Sequence, residues 1–377
     1  MGEKVLWGSP PMPEFPECWY VGGYSEALQV LKSPAFVHDR SKVSGLIPLA
    51  DFSGEGLTFW RQIAEWPLFL DAPEHTAKRQ VVGSYFREGA ILQLEQFIKK
   101  ETETLLDAAL SKKTIDIMWD IAYPLTLAVI CHLIGLNPPE IKWFKSRVRS
   151  LADTMDLRTG IHDYQPSLAT VKDFYSFFAT EIKERPSDKS LLGYMLGNGI
   201  SQEDVLPILL QLLFAGQETS ADAIGMSVIT LADNPEAHQT LVKKPELIEN
   251  AVREILRVES PIQYSGIRIA TQDKEIGGKH IRRGDCVLIA IAACNKDDRH
   301  FIQPNTVDFT RDNNGPDLSF GHGIHYCLGV HLARLEIRIV LQTLLRKLPE
   351  NWHIESYEMR KNILFKGPTS LKIKLGL

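Results

Sequence analysis

The segment Phe320–Gly329 combines a cysteine and two histidines with three glycines, a set of residues suited to binding a metal. Apolar residues recur at three- and four-residue spacing after Cys327, so we predict an amphipathic helix that begins close to this cysteine. The dipole and free N–H groups at a helix N-terminus favour a thiolate, the form of cysteine that ligates iron. The alternatives are a buried cysteine after a glycine-rich turn, and a zinc site of His322, His325 and Cys327. Three zinc ligands at this spacing would be crowded, and no fourth ligand lies nearby in the sequence.

A second candidate site is the polar pair Glu218-Thr219, which follows Gly216 inside an apolar helical pattern. The helix is predicted to start at a capping-box-like Ser201-x-x-Asp204 and to end at Asp233-Asn234-Pro235, after about 30 residues. Apolar periodicity does not account for a glycine, an acidic residue and a hydroxyl residue close together in the middle of this helix. Taken alone, they are also compatible with a core helix that bends where a hydroxyl bonds to a carbonyl one turn earlier.

Two further pairs of charged or titratable residues have helical spacing. Glu254 and Arg257 are three residues apart and can pair on one helix face, although such pairs are usually surface salt bridges. His75 and Arg79 are four residues apart, so both can reach one anion from the same face. The alternative for His75 and Arg79 is a solvated helix face.

The elements that would position these residues are mostly helices. Apolar periodicity predicts helices in the first half of the chain at Ser25–Leu31, Thr76–Phe86, Ala90–Leu110, Trp119–Leu136 and Pro166–Glu184. The aromatic segment Lys42–Leu70 shows no clear period, so we expect a long irregular loop there.

The last third of the chain has strand patterns. Lys274–Ile281 is predicted to form a hairpin and Leu371–Leu375 a strand, while Cys286–Cys294 fits either a buried strand or a short helix. The sequence therefore predicts a mostly α fold with a smaller β-rich portion, folded as one domain over residues 1–377.

Composition excludes several classes of protein. The 377 residues are 44% hydrophobic and 24% charged, which is typical of a soluble globular chain and argues against disorder. A net charge of −5 argues against a nucleic-acid partner. Five cysteines without a CxxC pair favour a reducing compartment, so we predict a cytoplasmic protein. The longest apolar stretch, Ile121–Leu136, is predicted to be a buried helix instead of a membrane span, and Met1–Pro16 an extended arm.

The ten-residue segment resembles the haem-binding loop of the cytochrome P450 family, the haem-thiolate monooxygenases. Every specified position of the family pattern Phe-Gly-x-Gly-x-His-x-Cys-x-Gly is met, by Phe320, Gly321, Gly323, His325, Cys327 and Gly329. The resemblance runs from about Trp19 to Leu377, and it implies haem b between a long distal helix and the cysteine loop. By the resemblance Cys327 is the axial ligand of the iron, where a thiolate favours O–O cleavage. The arm before residue 19 is short for the family, with Val5-Leu6-Trp7 as a remnant strand.

The resemblance also implies roles for residues outside the loop. Glu218 and Thr219 match the acid–alcohol pair that delivers protons during dioxygen activation. Glu254, Arg257 and Arg311 match a structural cluster, which we assign to folding. The residues expected to contact the haem or its propionates are His75, Arg79, Ala215, Gly216, Arg268, Phe320, Gly321, His325, Cys327 and Gly329.

The function implied is insertion of one atom of O2 into a mainly hydrophobic small molecule, by hydroxylation or epoxidation. Alternatives are oxidative coupling or desaturation in a biosynthetic pathway, and a haem carrier or sensor without activity. The chain has no GxGxxG nucleotide fingerprint, so electrons are expected from a ferredoxin or flavodoxin with its reductase. No membrane partner is expected, and a substrate bound to a carrier protein is compatible with this pocket.

The resemblance gives positions for two surfaces. Substrate walls are expected at Phe52–Phe69, Leu212–Ala215, Ile262–Gly266 and Leu364–Lys366. A docking surface for the electron donor is expected at Lys78, Arg87, Arg334 and Arg338, with an ordinary solvated surface as the alternative.

Overall fold

The computed structural model describes residues 3–8, 17–39, 55–156, 164–184, 187, 189–312, 317–349 and 351–376. The α-helices are α1 (Tyr24–Lys32), α2 (Glu55–Ala64), α3 (Glu74–Gly83), α4 (Glu88–Leu92), α5 (Glu95–Leu110), α6 (Tyr123–Ile134), α7 (Ile141–Thr154), α8 (Gln165–Lys183), α9 (Leu191–Gly197), α10 (Gln202–Asp233), α11 (Pro235–Lys243), α12 (Ile248–Val258), α13 (Ile291–Cys294) and α14 (Val330–Lys347). The strands are β1 (Val5–Gly8), β2 (Cys18–Val21), β3 (Phe36–Val37), β4 (Thr114–Asp116), β5 (Arg268–Ala270), β6 (Lys274–Ile276), β7 (Lys279–Ile281), β8 (Cys286–Ile289), β9 (His353–Met359) and β10 (Pro368–Lys374). The prediction of a mostly α fold with a smaller β-rich portion is confirmed.

Helix α10 forms the axis of the helical body. The Ser201 side chain accepts the Asp204 N–H at 3.2 Å and caps its N-terminus, as predicted. The helix has 32 residues, which corresponds to a length of about 48 Å. It packs against α6 and α14, and all residues from Ser220 to Leu231 are buried. A helix buried on every side can hold catalytic groups in the middle of the core.

The strands form three sheets beside this body. The largest has the order β1-β2-β8-β5-β3, with β2 and β8 parallel and the other pairs antiparallel. The predicted remnant strand at the N-terminus is therefore real, because β1 pairs with β2. A second sheet has the order β4-β10-β9, which confirms the C-terminal strand. The predicted hairpin is β6-β7, and its turn uses Gly277 and Gly278 at positive φ.

Three predicted elements differ from the structure. The aromatic segment contains α2, so the expectation of an irregular loop is wrong for that part, and residues 42–54 lie outside the described residues. The predicted helix Ala90–Leu110 is divided into α4 and α5, because the Gln93 and Leu94 N–H groups bond three residues back and tighten the chain into a turn. The ambiguous run Cys286–Cys294 contains both of its alternatives, since strand β8 is followed by the short helix α13.

One stretch among the described residues, Ile117–Ile134, is long and apolar enough to cross a membrane by length and composition. It consists of a π-helical turn at Ile117–Ala122 followed by α6. Because 72% of the stretch is buried within the protein, it serves as a core segment, in agreement with the predicted buried helix.

The Glu254 carboxylate ties α12 to the segment that leads to the cysteine loop. Arg257 binds both of its oxygens at 2.8 Å, and Arg311 binds one of them at 2.9 Å. Glu254 is 1% exposed, so these contacts form a buried structural cluster with the partner expected from the sequence.

Candidate functional site

The segment Phe320–Gly329 folds as a tight loop that ends at the first turn of α14. Gly321 and Gly323 have φ values of 68° and 76°, in the left-handed region that favours glycine. A Cβ at Gly323 would lie 2.3 Å from the Leu31 carbonyl oxygen, so the loop is fitted against the end of α1. The Cys327 N–H donates to the Phe320 carbonyl at 2.9 Å, which closes the loop.

Cys327 differs from the other four cysteines of the chain. All five are free, but only Cys327 is partly accessible, whereas the other four are buried. Its sulfur accepts the Gly329 N–H, as expected at a helix N-terminus. Burial nevertheless raises the pKa of the Cys327 thiol, although the Gly329 N–H, Arg79 and Arg334 act in the opposite direction. A metal ion bound to the sulfur would favour the thiolate at this position, in the same direction as the Gly329 N–H and the two arginines.

The predicted carboxylate-binding residues converge next to the cysteine loop from three separate segments. The His75 and His325 rings are 4.2 Å apart between centroids, and Arg79 donates to the Tyr326 carbonyl at 2.5 Å. Arg268 on β5 joins them through His38, whose ring lies 4.6 Å from that of His325. The sequence analysis did not identify His38.

Electrostatics show that this cluster is suited to an anion. Burial lowers the pKa of Arg268 to about 10, and burial with the neighbouring His75, Arg268 and Arg79 lowers that of His325 to about 3. His75 Nδ1 and His325 Nε2 are buried and have no hydrogen-bond partner in the part of the chain that the structure describes. Asp71 is close, but its oxygens accept the backbone N–H groups of His38 and Asp39. Haem propionates would supply the missing negative charge and acceptors, so these residues fit haem b.

The middle of α10 opens onto an internal space. Ala215 is exposed although Leu213, Phe214, Gln217 and Glu218 around it are buried, and Gly216 and Thr219 are half-buried. A Cβ added at Gly329 would meet no atom within 4 Å, which leaves room above the start of α14. The Thr219 hydroxyl donates to the Ala215 carbonyl at 2.8 Å and thus lies at this opening.

Gly216 has a packing role in addition to its predicted contact with the haem. A Cβ at Gly216 would lie 2.9 Å from Ile130 Cδ1, so the missing side chain lets α10 approach α6 closely. The contact of Gly216 with a cofactor stays a prediction.

Glu218 is adjacent to Thr219 in sequence but lies inside a buried cluster of charges. One carboxylate oxygen contacts the Lys145 ammonium of α7, and the other contacts Arg360, which follows β9. These two cations outweigh the effect of burial and lower the pKa of Glu218. Asp222, one turn further along α10, lies 3.1 Å from the same Arg360 nitrogen.

Three of the four predicted substrate-wall segments meet through aromatic side chains. Phe214 of α10 lies 5.8 Å from Trp66 and 5.9 Å from Phe365, measured between ring centroids. Phe365 also forms a β-bridge with Ile262. Phe52 falls outside the described residues.

The four basic residues expected on the docking surface differ in their surroundings. Lys78 pairs with Glu65, and Arg338 pairs with Glu95 and Glu249. Arg334 lies over the Phe320 ring at 5.0 Å. Arg87 is exposed to solvent. The positive charge of this set is thus partly compensated by neighbouring carboxylates.

The zinc interpretation finds no support in the described part of the chain. His322 Nδ1 accepts the Gly323 N–H at 2.6 Å, and no group of three or more His, Cys, Asp or Glu residues there could hold a metal ion.

Four residues of the site were missed by sequence reasoning: His38, Lys145, Asp222 and Arg360. His38 and Arg360 reach their partners across more than a hundred residues, and no motif surrounds either one. Asp222 could have been predicted from the sequence, because its i,i+4 spacing from Glu218 places both acids on one face of α10.

Comparisons with known proteins agree with this geometry. The family model described as Cytochrome P450 matches residues 151–374. A relative named "Biotin biosynthesis cytochrome P450", from Bacillus subtilis (strain 168), is 31% identical over 92% of this chain and 87% of its own length.

Two solved structures are similar over nearly the whole chain. The structure titled P450BioI in complex with hexadec-9Z-enoic acid ligated Acyl Carrier Protein has a TM-score of 0.88 and 29% identity, and covers 99% of this chain and 95% of that one. The Bacillus subtilis 168 bacillaene polyketide synthase cytochrome P450 PksS has a TM-score of 0.87 and 27% identity, and covers 100% and 94%. The chain therefore belongs to the cytochrome P450 family, whose members bind haem b and act as monooxygenases.

Proposed function

We propose that this protein inserts one atom of O2 into a mainly hydrophobic small molecule by hydroxylation or epoxidation, with Cys327 as the axial ligand of the haem iron. The observation that carries the proposal is the convergence of His75, Arg79, Arg268 and His325 beside the only partly accessible cysteine. Two of these side chains have a buried ring nitrogen that finds no partner within the described ranges, so each could bond to an anionic cofactor edge.

Each part of the site has a distinct task in this proposal. The bound haem supplies dioxygen activation, to which a thiolate ligand contributes electron density. The histidines and arginines of the cluster bind and orient its propionates. Thr219, held by the Ala215 carbonyl, presents its hydroxyl at the opening of α10, and Glu218 behind it supplies protons. The remaining loop residues Phe320, Gly321 and Gly329 shape the proximal side, and Ala215 and Gly216 the distal side.

The substrate class follows from the walls of the site. Trp66, Phe214 and Phe365 pack together where the predicted wall segments meet, and sites with such an apolar, aromatic lining favour apolar ligands. One similar structure holds a fatty acid attached to an acyl carrier protein, which makes a carrier-bound acyl chain a candidate alongside free hydrophobic compounds.

The absorption spectrum tests the haem assignment. We expect the reduced protein to give the Soret band typical of a thiolate-ligated haem under carbon monoxide, and Cys327→Ser to lose it. Cys131→Ser is the matched control, because Cys131 is a buried cysteine on α6. A thiolate spectrum that survives in Cys327→Ser would overturn the assignment.

Turnover distinguishes the remaining functions. Free and carrier-bound fatty acids are added to the protein, and those that bind are recognised by a shift in the haem spin state. The products formed from these compounds are then identified by mass spectrometry. Addition of one oxygen atom supports the proposal, whereas a coupled or desaturated product would replace it by the tailoring alternative. Binding without turnover by any supplied electron donor would indicate a carrier or sensor.

The electron donor is proposed to be a ferredoxin or flavodoxin with its reductase, which docks near Lys78, Arg87, Arg334 and Arg338. Arg87 is the informative member, because Lys78 and Arg338 already pair with carboxylates and Arg334 packs on Phe320 next to Cys327. Charge reversal at Arg87 should slow reduction by the donor and leave substrate binding intact. Unchanged reduction would remove this surface from the proposal.

We further propose that the chain acts as one domain in the cytoplasm. The largest of three clusters of buried apolar residues draws members from Phe59 to Ile373, which supports one folding unit for the helical body and the C-terminal sheet. All five cysteines are free, which is typical of a reducing compartment.

A further inference from the structure

Four charged side chains meet in the protein interior behind Thr219. Lys145 comes from α7, Glu218 and Asp222 from α10, and Arg360 from the segment after β9. The two carboxylates are 1% and 0% exposed, and the side chains of the two cations 9% and 7%. A single Arg360 nitrogen, Nη2, contacts one oxygen of each carboxylate, so the two acids share one donor.

The two carboxylates differ in their contacts. Both oxygens of Glu218 contact a cation, whereas Asp222 has one contact with Arg360 and its Oδ2 has no hydrogen-bond partner among the described residues. Two carboxylates close to one shared charge do not both ionise readily. Lys145 and Arg360 lower the pKa of Glu218, while burial and the charge of Glu218 raise that of Asp222 to about 7. Glu218 is therefore ionised at neutral pH, and Asp222 is the acid of the pair that still carries a proton.

Other titratable groups also face this cluster. The Lys145 ammonium lies 3.7 Å from the centre of the Tyr123 ring of α6, and Tyr123 responds to the charge of both acids. Burial raises the pKa of Asp153 on α7, against the pull of Arg149 and Arg360. Neither group contacts Asp222 through a hydrogen bond among the described interactions.

The cluster also has a path to solvent. A cleft of about 300 Å³ is lined by Gln263, Tyr264, Met359, Arg360, Ile363 and Phe365, among others. Arg360 thus lines the cleft and contacts both acids. The Arg360 side chain is 7% exposed, so water in the cleft can reach part of the guanidinium side chain that the two acids share.

We propose that Asp222 is the proton reserve for Glu218 and is recharged from water in the cleft at Arg360. In the transfer the O–H bond of the Asp222 carboxyl breaks and one forms on a Glu218 oxygen. Asp222 becomes a carboxylate and is then reprotonated by a hydronium ion or a buffer acid from the solvent, which is left as water or as the conjugate base. Because it acts through Glu218, Asp222 is a positioning residue, and the inference rests on the proposed role of Glu218.

The variant Asp222→Asn tests this role, because asparagine keeps the shape and the contact with Arg360 but holds no transferable proton. We measure the fraction of supplied electrons that is recovered in product, between pH 6 and 8.5. The substrate is a compound whose binding shifts the haem spin state. The wild-type fraction should fall as the pH rises through about 7. In Asp222→Asn the fraction should be lower at pH 6, by about tenfold, and independent of pH. Asp233→Asn, at the C-terminal end of α10, is the matched control and should keep the wild-type profile.

A loss of packing alone would lower the yield at every pH and preserve the profile, which would overturn the proposal. A wild-type profile in Asp222→Asn would also overturn it, since another group such as Lys145 would then hold the proton.

Infrared titration gives a readout that does not depend on turnover. Glu336 on α14 is a second buried carboxyl with a raised pKa, of about 8, so all samples carry Glu336→Gln. In that background the C=O band of a protonated buried carboxyl should disappear as the pH rises through about 7, and it should be absent in Asp222→Asn but present in Asp233→Asn. Each sample is first checked for the thiolate spectrum under carbon monoxide. A normal spectrum with an unaltered band in Asp222→Asn would reject Asp222 and leave the proposed function intact, whereas an abnormal wild-type spectrum would reject the proposed function itself.

Discussion

The guanidinium of Arg268 and the imidazole of His38 meet at 2.7 Å, between Nη1 and Nε2, although 230 residues separate them. The other ring nitrogen of His38, Nδ1, lies 3.1 Å from the Ile267 carbonyl. With Nδ1 as donor to that carbonyl, Nε2 is left to accept from Arg268. His38 thereby fixes the direction of an arginine that we propose binds a haem propionate.

Replacing His38 should therefore weaken haem retention. In His38→Ala, Arg268 loses the acceptor that orients it, so haem should dissociate roughly tenfold faster than from the wild type. The rate is measured by transfer of haem to an apoprotein acceptor. His280→Ala, on the solvent-exposed hairpin strand β7, is the control. Equal rates in His38→Ala and the wild type would contradict the positioning role.

Glu336 predicts a pH dependence of stability. It lies 1% exposed on α14, and burial raises the pKa of its carboxyl to about 8, with a hydrogen bond to Ser220 acting the other way. The unfolded chain releases this proton near pH 4.5, so between about pH 4.5 and 8 only the folded state holds it. The contribution of Glu336 to stability therefore falls as the pH rises through this window.

Glu336→Gln should remove the contribution of this carboxyl to the pH dependence of stability. We expect its Tm, relative to the wild type, to rise by a few degrees from pH 6 to pH 8.5. Glu358→Gln, at an exposed position of β9, is the control and should follow the wild type. A constant difference between Glu336→Gln and the wild type at all pH values would show that Glu336 is ionised in the folded protein.

Removing Glu254 should destabilise the whole fold. In Glu254→Ala the guanidinium of Arg257 would stay buried without its carboxylate, which costs about 3–5 kcal/mol. Denaturant unfolding measures the free energy. Glu249→Ala on the same helix is the control, because the Glu249 side chain is 57% exposed and should change stability little. Equal stability of the two variants would contradict the structural role of the cluster.

Thr219→Ala should separate oxygen consumption from product formation. Without this hydroxyl, more of the consumed O2 should leave as hydrogen peroxide and less should enter product. The yield of product per electron should fall by at most about 10²–10⁴-fold, the contribution of a positioned acid or base. Thr230→Ala is a close control, because the Thr230 hydroxyl also bonds the carbonyl one turn earlier on α10. An unchanged yield of product per electron in Thr219→Ala would remove it from the proton route.

Local patterns in the sequence were sufficient to predict some parts of the structure. The cysteine loop and α10 could be predicted because their signals lie within a short segment: glycines at fixed positions, an N-cap at Ser201, and a stop at Pro235. The i,i+3 pair Glu254 and Arg257 could be predicted for the same reason.

The remaining features depend on tertiary structure. Helix α2 was missed because the glycines and aromatic residues of the segment Lys42–Leu70 obscure the period of a helix that is only ten residues long. The Cys286–Cys294 run is apolar throughout, so periodicity could not show where the strand ends and the helix begins. The charges around Glu218 come from α7 and from the segment after β9, and only the folded chain brings Lys145 and Arg360 to it.

The fit of Gly323 against the Leu31 carbonyl links the cysteine loop to a distant part of the chain. There is no room for even a methyl group between them, so the loop and the end of α1 have complementary shapes. Two regions nearly three hundred residues apart along the chain therefore depend on each other for their geometry. We expect a substitution that displaces the end of α1 to disturb the loop that carries Cys327, although no residue of α1 is near Cys327 in sequence.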